Sequence, residues 1–248
     1  MKFTILRFDS LDSTNTEALN QAKQGASEGL CVVALEQKAG RGRHGREWIS
    51  EKNAGLYFSL VLRPTLENKF LPLITLVTAV AVFDVLTELY DLKPDIKWAN
   101  DVHVGEKKIS GILAEMTETS KGSAIVVGIG INLKSNAFPP ELKDSATSIE
   151  AETGRTPNIE KLLEVLTEKL AKFYQILQGG SGAAAIRREW ARRSTYCEGR
   201  RVAVKLANEF FEGTTRGIEE NGALRVETDG GEVIIVQAGD VERLRKTV

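Results

Sequence analysis

Residues 40–48 combine glycine and arginine in a pattern suited to chemistry with anions. They read Gly-Arg-Gly-Arg-His-Gly-Arg-Glu-Trp and follow an apolar run that predicts a strand. Glycine lets a backbone approach a phosphate closely, and the forked guanidinium groups of Arg41, Arg43 and Arg46 match phosphate and carboxylate oxygens. Trp48 offers an aromatic face to a base. This arginine loop, residues 40–48, therefore predicts an anion-binding site.

The composition of the arginine loop has plainer interpretations. A solvated basic turn, or a loop that binds nucleic acid without sequence preference, contains the same residue types. The segment has neither the GxxxxGK[ST] pattern of a P-loop nor a GxGxxG pattern that opens a helix. The loop alone leaves these interpretations open, so other motifs must decide between them.

Further motifs along the chain carry polar and glycine residues of the kinds that bind ligands. They are Ser13-Thr14-Asn15, Gln37, Lys97-Trp98-Ala99-Asn100-Asp101, Lys108-Ile109-Ser110-Gly111-Ile112-Leu113 and Gly128-Ile129-Gly130-Ile131-Asn132. With the arginine loop, and in family order, they resemble the signatures of the biotin protein ligases: STN, GRGRxGRxW, KWPND, KxxGIL and GxGIN. One such motif is weak, whereas the ordered set is specific. Together with a small C-terminal β-domain that contains Arg216-Gly217-Ile218 and Gly222-Ala223-Leu224, the resemblance covers nearly the whole chain.

Two positions depart from the family signatures. Ala99 replaces the proline of KWPND, and His44 fills the variable position of the arginine loop. Since proline at that point would chiefly stiffen the backbone, we expect the activity to survive. No helix-turn-helix region precedes residue 1, so the chain resembles the stand-alone class of ligase that lacks an N-terminal DNA-binding domain, and we expect no DNA binding.

The resemblance implies a reaction in two steps. Biotin is activated with ATP to biotinyl-5′-AMP, and biotin is then transferred to a lysine of a biotin carboxyl carrier protein, in acetyl-CoA carboxylase or a related carboxylase. Mg²⁺ is the expected cofactor. Both steps need concentrated positive charge, because two anions meet in the first and AMP leaves in the second. The resemblance also leaves a homodimer open.

Family roles carry over to individual residues. Catalysis is assigned to Arg43 and Lys108, which would contact the carboxylate and the α-phosphate, and to Asp101, which would orient or deprotonate the lysine amine or hold Mg²⁺. Lys107 would be the exposed neighbour of Lys108, since strand alternation sends adjacent side chains to opposite faces. The residues assigned to biotin are Ser13, Thr14, Asn15, Gln37, Gly40, Arg41, Arg43, Lys108, Gly111, Leu113 and Gly128. Those assigned to ATP are Arg41, Arg43, Arg46, Trp48, Lys97, Asn100 and Asn132.

Several of these residues have ordinary structural roles as alternatives. Asn100-Asp101 is a common turn dipeptide, and Ser13 with Thr14 would suit a helix start. Arg46 and Lys97 could equally be surface charges.

Periodicity predicts the elements that position the motifs. Strands are expected near residues 3–8, 30–35, 55–62, 109–117 and 123–133, and helices near residues 70–90, 158–178 and 182–193. A further helix should begin near Thr14, which has capping-box spacing to Glu17. Residues 134–156 look like a loop. The expected fold is α+β, a mixed and largely antiparallel sheet with flanking helices, and the resemblance implies the fold of class II aminoacyl-tRNA synthetases and biotin ligases.

A second domain is predicted after residue 195. Short strands are expected at 201–206, 209–218, 223–228 and 232–236, separated by turn residues at Asn208, Asn221-Gly222 and Gly230-Gly231. Such a segment is typical of a small barrel, and the resemblance implies an SH3-like one. We therefore expect a catalytic domain over 1–195 and an SH3-like β-domain over 196–248.

Composition limits the alternatives. A net charge of −1 provides no overall basic field for nucleic acid, and the two cysteines, without a CxxC motif, favour a reducing compartment. The apolar run 71–90 contains Pro72, Asp84 and Glu88, which favours a buried helix over a membrane span. We expect a cytoplasmic protein. The remaining rivals are a lipoate or octanoate ligase of the same superfamily, a nucleic-acid-binding protein and a non-catalytic biotin-binding module.

Overall fold

The computed structural model describes residues 1–134, 138–206, 209–237 and 239–243. Its larger sheet has seven strands in the order β1-β2-β3-β7-β6-β5-β4. These strands are β1 Thr4–Phe8, β2 Leu30–Ala34, β3 Gly55–Leu62, β4 Pro94–Lys97, β5 Asp101–Val104, β6 Lys107–Thr119 and β7 Gly122–Asn132. Only β1 and β2 pair in parallel, and the other neighbours are antiparallel. The predicted mixed, largely antiparallel sheet is confirmed.

Helices cover both faces of this sheet. Among the described residues they are α1 Thr14–Lys23, α2 Leu73–Tyr90, α3 Ile149–Thr153, α4 Ile159–Leu177 and α5 Gly182–Ala191. Helix α1 packs on one face with a small apolar cluster that includes Ala18, Val61 and Val126. Helix α2 packs on the other face, α4 and α5 pack against α2, and together they form the main core with the sheet. Because both faces are covered, every residue of β3 is buried.

Helix α2 is apolar over most of its circumference, as expected of a helix largely surrounded by protein. Within the described part of the chain, Asn68–Tyr90 is the one segment long and apolar enough to cross a membrane, and 61% of its 18-residue apolar stretch is buried inside the protein. It contacts the sheet on one side and α4 and α5 on the other. It is therefore the central helix of the core, as the sequence predicted.

The second sheet contains five strands in the order β11-β10-β9-β8-β12. They are β8 Glu198–Lys205, β9 Phe210–Ile218, β10 Leu224–Thr228, β11 Val233–Val236 and β12 Asp240–Arg243. This sheet stands where the small SH3-like barrel was expected, and its strand β12 was not predicted. The turn predicted at Asn208 lies outside the described residues. The domain boundary near residue 195 stays a prediction.

The second sheet shares the main apolar core with the larger one, and polar contacts among the described residues add to this connection. The indole Nε1 of the buried Trp98 donates to the carbonyl of Gly222 at 2.9 Å. Arg46 of the arginine loop is paired with Asp240 at the start of β12. Trp98 and Trp190 are both buried in the core. The peptide bond between Trp98 and Ala99 is cis.

Two local predictions are wrong. Ser13, not Thr14, caps α1, because the Ser13 hydroxyl accepts from the backbone N–H of Thr16 whereas Thr14 is bonded to Gln37. Residues 134–156 are not all loop, since α3 lies within them. Its end signals are the Ser148 side chain, which accepts from Ala151, and Gly154 at a φ of 67°.

Candidate active site

A cleft of about 480 Å³ opens between the start of α1, the arginine loop and strands β3, β7 and β6. Most of the predicted site residues lie around it. Its lining comprises Ser13, Thr14, Asn15, Gln37, Arg41, Gly42, Arg43, Trp48, Tyr57, Asn100, Lys108, Gly111, Ile112, Leu113, Gly128, Ile129 and Gly130. The structure thus brings together motifs that are up to about a hundred residues apart in the sequence.

Two glycines of β7 make the floor of the cleft hollow. Gly128 and Gly130 are two residues apart on β7 and therefore lie on the same face of the sheet. A Cβ atom on Gly128 would lie 2.2 Å from Oδ1 of Asn15, and one on Gly130 would lie 2.4 Å from the Trp48 ring. Only glycine fits both positions. The GxGIN strand therefore provides room for the side chains of Asn15 and Trp48.

A polar wall closes one end of the cleft. Both the backbone N–H and the hydroxyl of Thr14 donate to Oε1 of Gln37, at 2.8 and 3.0 Å. The buried hydroxyl of Ser59 lies 2.8 Å from Thr14 Oγ1 and 2.6 Å from Asn15 Oδ1. Sequence reasoning missed Ser59, although it is the one serine in the buried strand β3. These bonds fix the side chains of the wall before any ligand contact.

The wall also holds the end of the arginine loop. The Gln37 amide donates to Ser50 Oγ at 2.7 Å, and Ser50 Oγ donates to the Trp48 carbonyl at 2.9 Å. A Cβ atom on Gly40 would lie 2.2 Å from the same carbonyl, so Gly40 serves the close passage of the backbone and does not line the cleft. The loop therefore begins and ends at one anchored point.

Glu115 of β6 is a second residue that sequence reasoning missed. Its Oε2 accepts from Asn15 Nδ2 at 2.8 Å and from an Arg41 guanidinium nitrogen at 2.7 Å. Asn15 Nδ2 also donates to the Leu113 carbonyl at 3.1 Å. Glu115 lies two residues after Leu113 on the same face of β6, and this spacing could have identified it.

The other two arginines of the loop reach different elements. Arg43 Nη1 donates to Oδ1 of Asn100, in the turn between β4 and β5, at 2.6 Å. Arg46 is paired with Asp240 of the second sheet and lies outside the lining of the cleft. The Arg46 guanidinium keeps the pKa of Asp240 below its ordinary value, although burial of that carboxylate opposes the shift. The three arginines thus fix the loop to three separate parts of the protein.

The Trp48 ring lies against the glycine floor. A Cβ atom on Gly111 would approach its ring to 2.8 Å, and the Lys108 ammonium lies 5.2 Å from the ring centroid. Within the described residues, the buried Trp48 indole N–H has no hydrogen-bond acceptor. The indole therefore offers an aromatic surface and a donor at the centre of the cleft.

Lys108 is the cation on the β6 side of the cleft. Its Nζ lies 2.8 Å from Oδ1 of Asp101, and that oxygen also accepts from Asn100 Nδ2 at 2.9 Å. Asp101 itself stands behind Lys108, outside the lining. The side chain of Lys107 turns away and donates to the Lys143 carbonyl at 2.9 Å. The predicted opposite orientation of Lys107 and Lys108 is confirmed.

Two more predicted residues do not line the cleft. Asn132 Nδ2 donates to the carbonyls of Lys108, at 3.3 Å, and Thr147, at 3.0 Å, so it supports the strand that carries Lys108. Lys97 pairs across the β4–β5 hairpin with Asp101. Their assignment to ATP stays a prediction.

The acidic residues near the cleft are few. The described part of the chain contains no group of three or more His, Cys, Asp or Glu side chains that could hold a metal ion. The imidazole of His103, on β5, is largely buried, and burial, followed by the charge of Lys97, lowers its pKa to about 4. It is therefore neutral at physiological pH. The charge of the site comes from Arg41, Arg43 and Lys108.

Comparisons with known proteins agree with this geometry. Residues 7–132 match the biotin/lipoate A/B protein ligase family, and residues 199–244 match the biotin protein ligase C-terminal domain. The chain is 34% identical over 241 residues to the bifunctional ligase/repressor BirA of Bacillus subtilis, covering 96% of this chain and 73% of that one. It is 35% identical over 234 residues to the biotin–[acetyl-CoA-carboxylase] ligase of Paracoccus denitrificans, covering 92% and 95%.

A solved structure confirms the expected fold over almost the whole chain. The biotin protein ligase of Aquifex aeolicus in complex with biotin and ATP has a TM-score of 0.85 at 29% identity, and the match covers 98% of this chain and 100% of that one. The chain is therefore an enzyme of the biotin/lipoate A/B protein ligase family and belongs with its biotin protein ligases.

Proposed function

We propose that the protein activates biotin with ATP to biotinyl-5′-AMP and transfers the biotinyl group to a lysine of a biotin carboxyl carrier protein. One observation supports this most directly. Arg41, Arg43 and Lys108 converge on a narrow cleft whose other end is a fixed polar wall. Such a cleft suits a ligand with an anionic end and a small polar ring.

The first step joins two anions. A biotin carboxylate oxygen attacks the α-phosphorus of ATP, a P–O bond forms, and the bond to the β-phosphate oxygen breaks to release pyrophosphate. Arg43 and Lys108 would hold the carboxylate and the α-phosphate, and Arg41 would support them. Fixed cations in a site shielded from water lower the barrier, because they need no reorganisation as charge develops.

The polar wall would bind the ureido ring of biotin. Ser13, Thr14, Asn15 and Gln37 offer a few oriented polar groups, and backbone groups near Gly111, Leu113 and Gly128 complete the pocket. An apolar ligand with one polar ring needs a small number of such partners. Their mutual hydrogen bonds hold them in one arrangement, which reduces the entropic cost of binding.

ATP would occupy the side of the cleft nearer Asn100. Trp48 would pack against adenine, and Arg46, Lys97 and Asn132 would contact the nucleotide from the margin.

In the second step the lysine amine of the carrier attacks the carbonyl carbon of the mixed anhydride. A C–N bond forms, the C–O bond to the phosphate breaks, AMP leaves, and the nitrogen loses a proton. Asp101 would orient that amine or accept the proton. Its ion pair with Lys108 connects the residues of both steps.

Resident magnesium fits these residues poorly. Asp101 is engaged with Lys108 and Asn100, and the described chain supplies no acidic group of three around it. We therefore propose that Mg²⁺ enters with the ATP phosphates, and no step is assigned to a magnesium ion held by protein side chains alone.

The arginine loop is proposed to close over the adenylate and shield it from water. Limited proteolysis tests this: cutting within residues 40–46 should slow severalfold when biotin and ATP are added together. Equal cutting with and without them would contradict closure.

A cytoplasmic location, a homodimer and the absence of DNA and membrane partners stay predictions.

Exchange of labelled pyrophosphate into ATP tests the activity and the acid together. With Mg²⁺ and biotin the exchange should be rapid, and with lipoate or octanoate it should stay at the background rate. Exchange with lipoate or octanoate alone, or with no acid, would refute the proposal. Mass spectrometry of an added biotin carboxyl carrier domain should then show one biotinyl group on its lysine.

A further inference from the structure

Glu115 connects two parts of the cleft without lining it. One oxygen, Oε2, accepts both from Asn15 of α1 and from Arg41 of the arginine loop. Both donors line the cleft: Asn15 lies on the side of the polar wall, and Arg41 lies on the side of the cations. The carboxylate therefore touches the site only through its neighbours.

Glu115 is a partly shielded carboxylate that accepts from two donors. Its side chain is 25% exposed, and β6 holds it in the sheet beside α1. A hydrogen bond to a charged group is about twice as strong as a neutral one. A single anion that holds two ligand-facing donors can therefore fix their distance and direction.

A hydrogen-bonded network extends from Glu115 through the wall. Asn15 Oδ1 contacts Ser59, Ser59 contacts Thr14, and Thr14 is bonded to Gln37. Glu115 stands at one end of this network, and its contact with Arg41 extends the network to the cations.

We propose that Glu115 is a positioning residue that sets Asn15 for biotin and Arg41 for the carboxylate and α-phosphate at the same time. This inference rests on the proposed function. Glu115 makes no contact with substrate in this role and carries no proton in the reaction. Its work is to keep the guanidinium of Arg41, which is 42% exposed, from turning into solvent.

Two substitutions separate the contact of Glu115 with Asn15 from its contact with Arg41. Glu115→Gln retains an oxygen that accepts from Asn15 and removes the charge that holds Arg41. It should lower kcat of adenylate formation about 10-fold, which corresponds to about 1.4 kcal/mol. The KM for biotin should change less than about twofold, because only the contact with Arg41 is weakened. Glu115→Ala removes the contacts with both Asn15 and Arg41, so it should also raise the KM for biotin about 10-fold.

A double-mutant cycle with Arg41→Ala tests whether Glu115 acts through Arg41. In the Arg41→Ala background, Glu115→Gln should cause no further loss of kcat. The matched control is Glu118→Gln, on the same strand, where the carboxylate accepts from the exposed Ser123 hydroxyl; it should behave as wild type. Pyrophosphate exchange with biotin is the assay throughout.

The outcomes are distinct. Wild-type kcat in Glu115→Gln, or losses that multiply in the double mutant, would overturn the inference while leaving the proposed function intact. A wild-type protein without biotin-dependent exchange would overturn the proposed function and this inference with it. If Glu115→Ala does not fold, Glu115→Gln and the double mutant still decide.

Discussion

Lys108 and Asp101 form an ion pair across β6 and β5, with Nζ 2.8 Å from Oδ1. The pair is partly shielded, since the two side chains are 30% and 21% exposed. Asn100 donates to the same carboxylate oxygen and accepts from Arg43. A substitution at any of these positions is therefore expected to change the orientation of Arg43 and Lys108, the two cations to which we assign catalysis.

Substitution of Lys108 by alanine should abolish the first step. The ammonium is the only charge on the β6 side of the cleft lining, and loss of one such group costs about 100-fold or more in kcat. The measurement is biotin-dependent pyrophosphate exchange. Lys107→Ala is the control, because that side chain reaches the Lys143 carbonyl instead. Equal activity of the two variants would disprove the assignment of Lys108.

Arg43→Ala should slow formation of the adenylate or let it leak into solution. The guanidinium links the loop to Asn100, so its loss removes both a charge and an anchor. Free biotinyl-AMP, measured by chromatography, should appear without carrier, and kcat should fall about 100-fold. Arg7→Ala, which removes an exposed ion pair with Glu160, should change neither quantity. An Arg43 variant with normal kinetics and no leakage would refute the role.

Gly130→Ala should displace Trp48. The new methyl group would lie 2.4 Å from the indole, so the ring must move or tilt. If Trp48 packs against adenine, the KM for ATP should rise about 10-fold, equivalent to about 1.4 kcal/mol of lost contact. Gly180→Ala is the control, since no atom lies within 4 Å of a Cβ there. An unchanged KM for ATP in Gly130→Ala would argue against this use of Trp48.

Ser59→Ala should weaken biotin binding and the fold together. The buried hydroxyl contacts Thr14 and Asn15, and its removal leaves polar groups without a partner, at a cost of about 1–3 kcal/mol. Urea unfolding should show that loss, and the KM for biotin should increase. Ser123→Ala removes only an exposed contact with Glu118 and should leave both values unchanged. A Ser59→Ala variant with wild-type stability and a wild-type KM for biotin would contradict the role proposed for the polar wall.

The two thiols should react very differently. Cys31 is fully buried, and burial raises its pKa to about 12, so it stays protonated and inaccessible at neutral pH. Cys197 is half-buried, and its pKa is raised by burial and then by Glu198. At pH 8 a thiol reagent should label Cys197 slowly and Cys31 only after unfolding. Labelling of Cys31 in the folded protein would contradict its place in the core.

Much of the fold was readable from local patterns. Strand β3 matched its predicted bounds, because a continuous apolar run between turn signals can hardly form anything else in a covered sheet. Helices α2, α4 and α5 were found within a few residues of their ends. Strand β12 was missed because four residues carry little periodicity, and pairing with β8 is what makes them a strand.

The sequence by itself determined which residues could do the chemistry, since arginine, lysine and glycine types in an ordered set of motifs carry that information locally. Tertiary structure decided how they work together. Only the pairing of β3, β7 and β6 shows that Gly128 and Gly130 make room for Asn15 and Trp48, and only the packing of α1 on β6 brings in Glu115. Such contacts join residues about a hundred positions apart, and no local pattern encodes a distance of that kind.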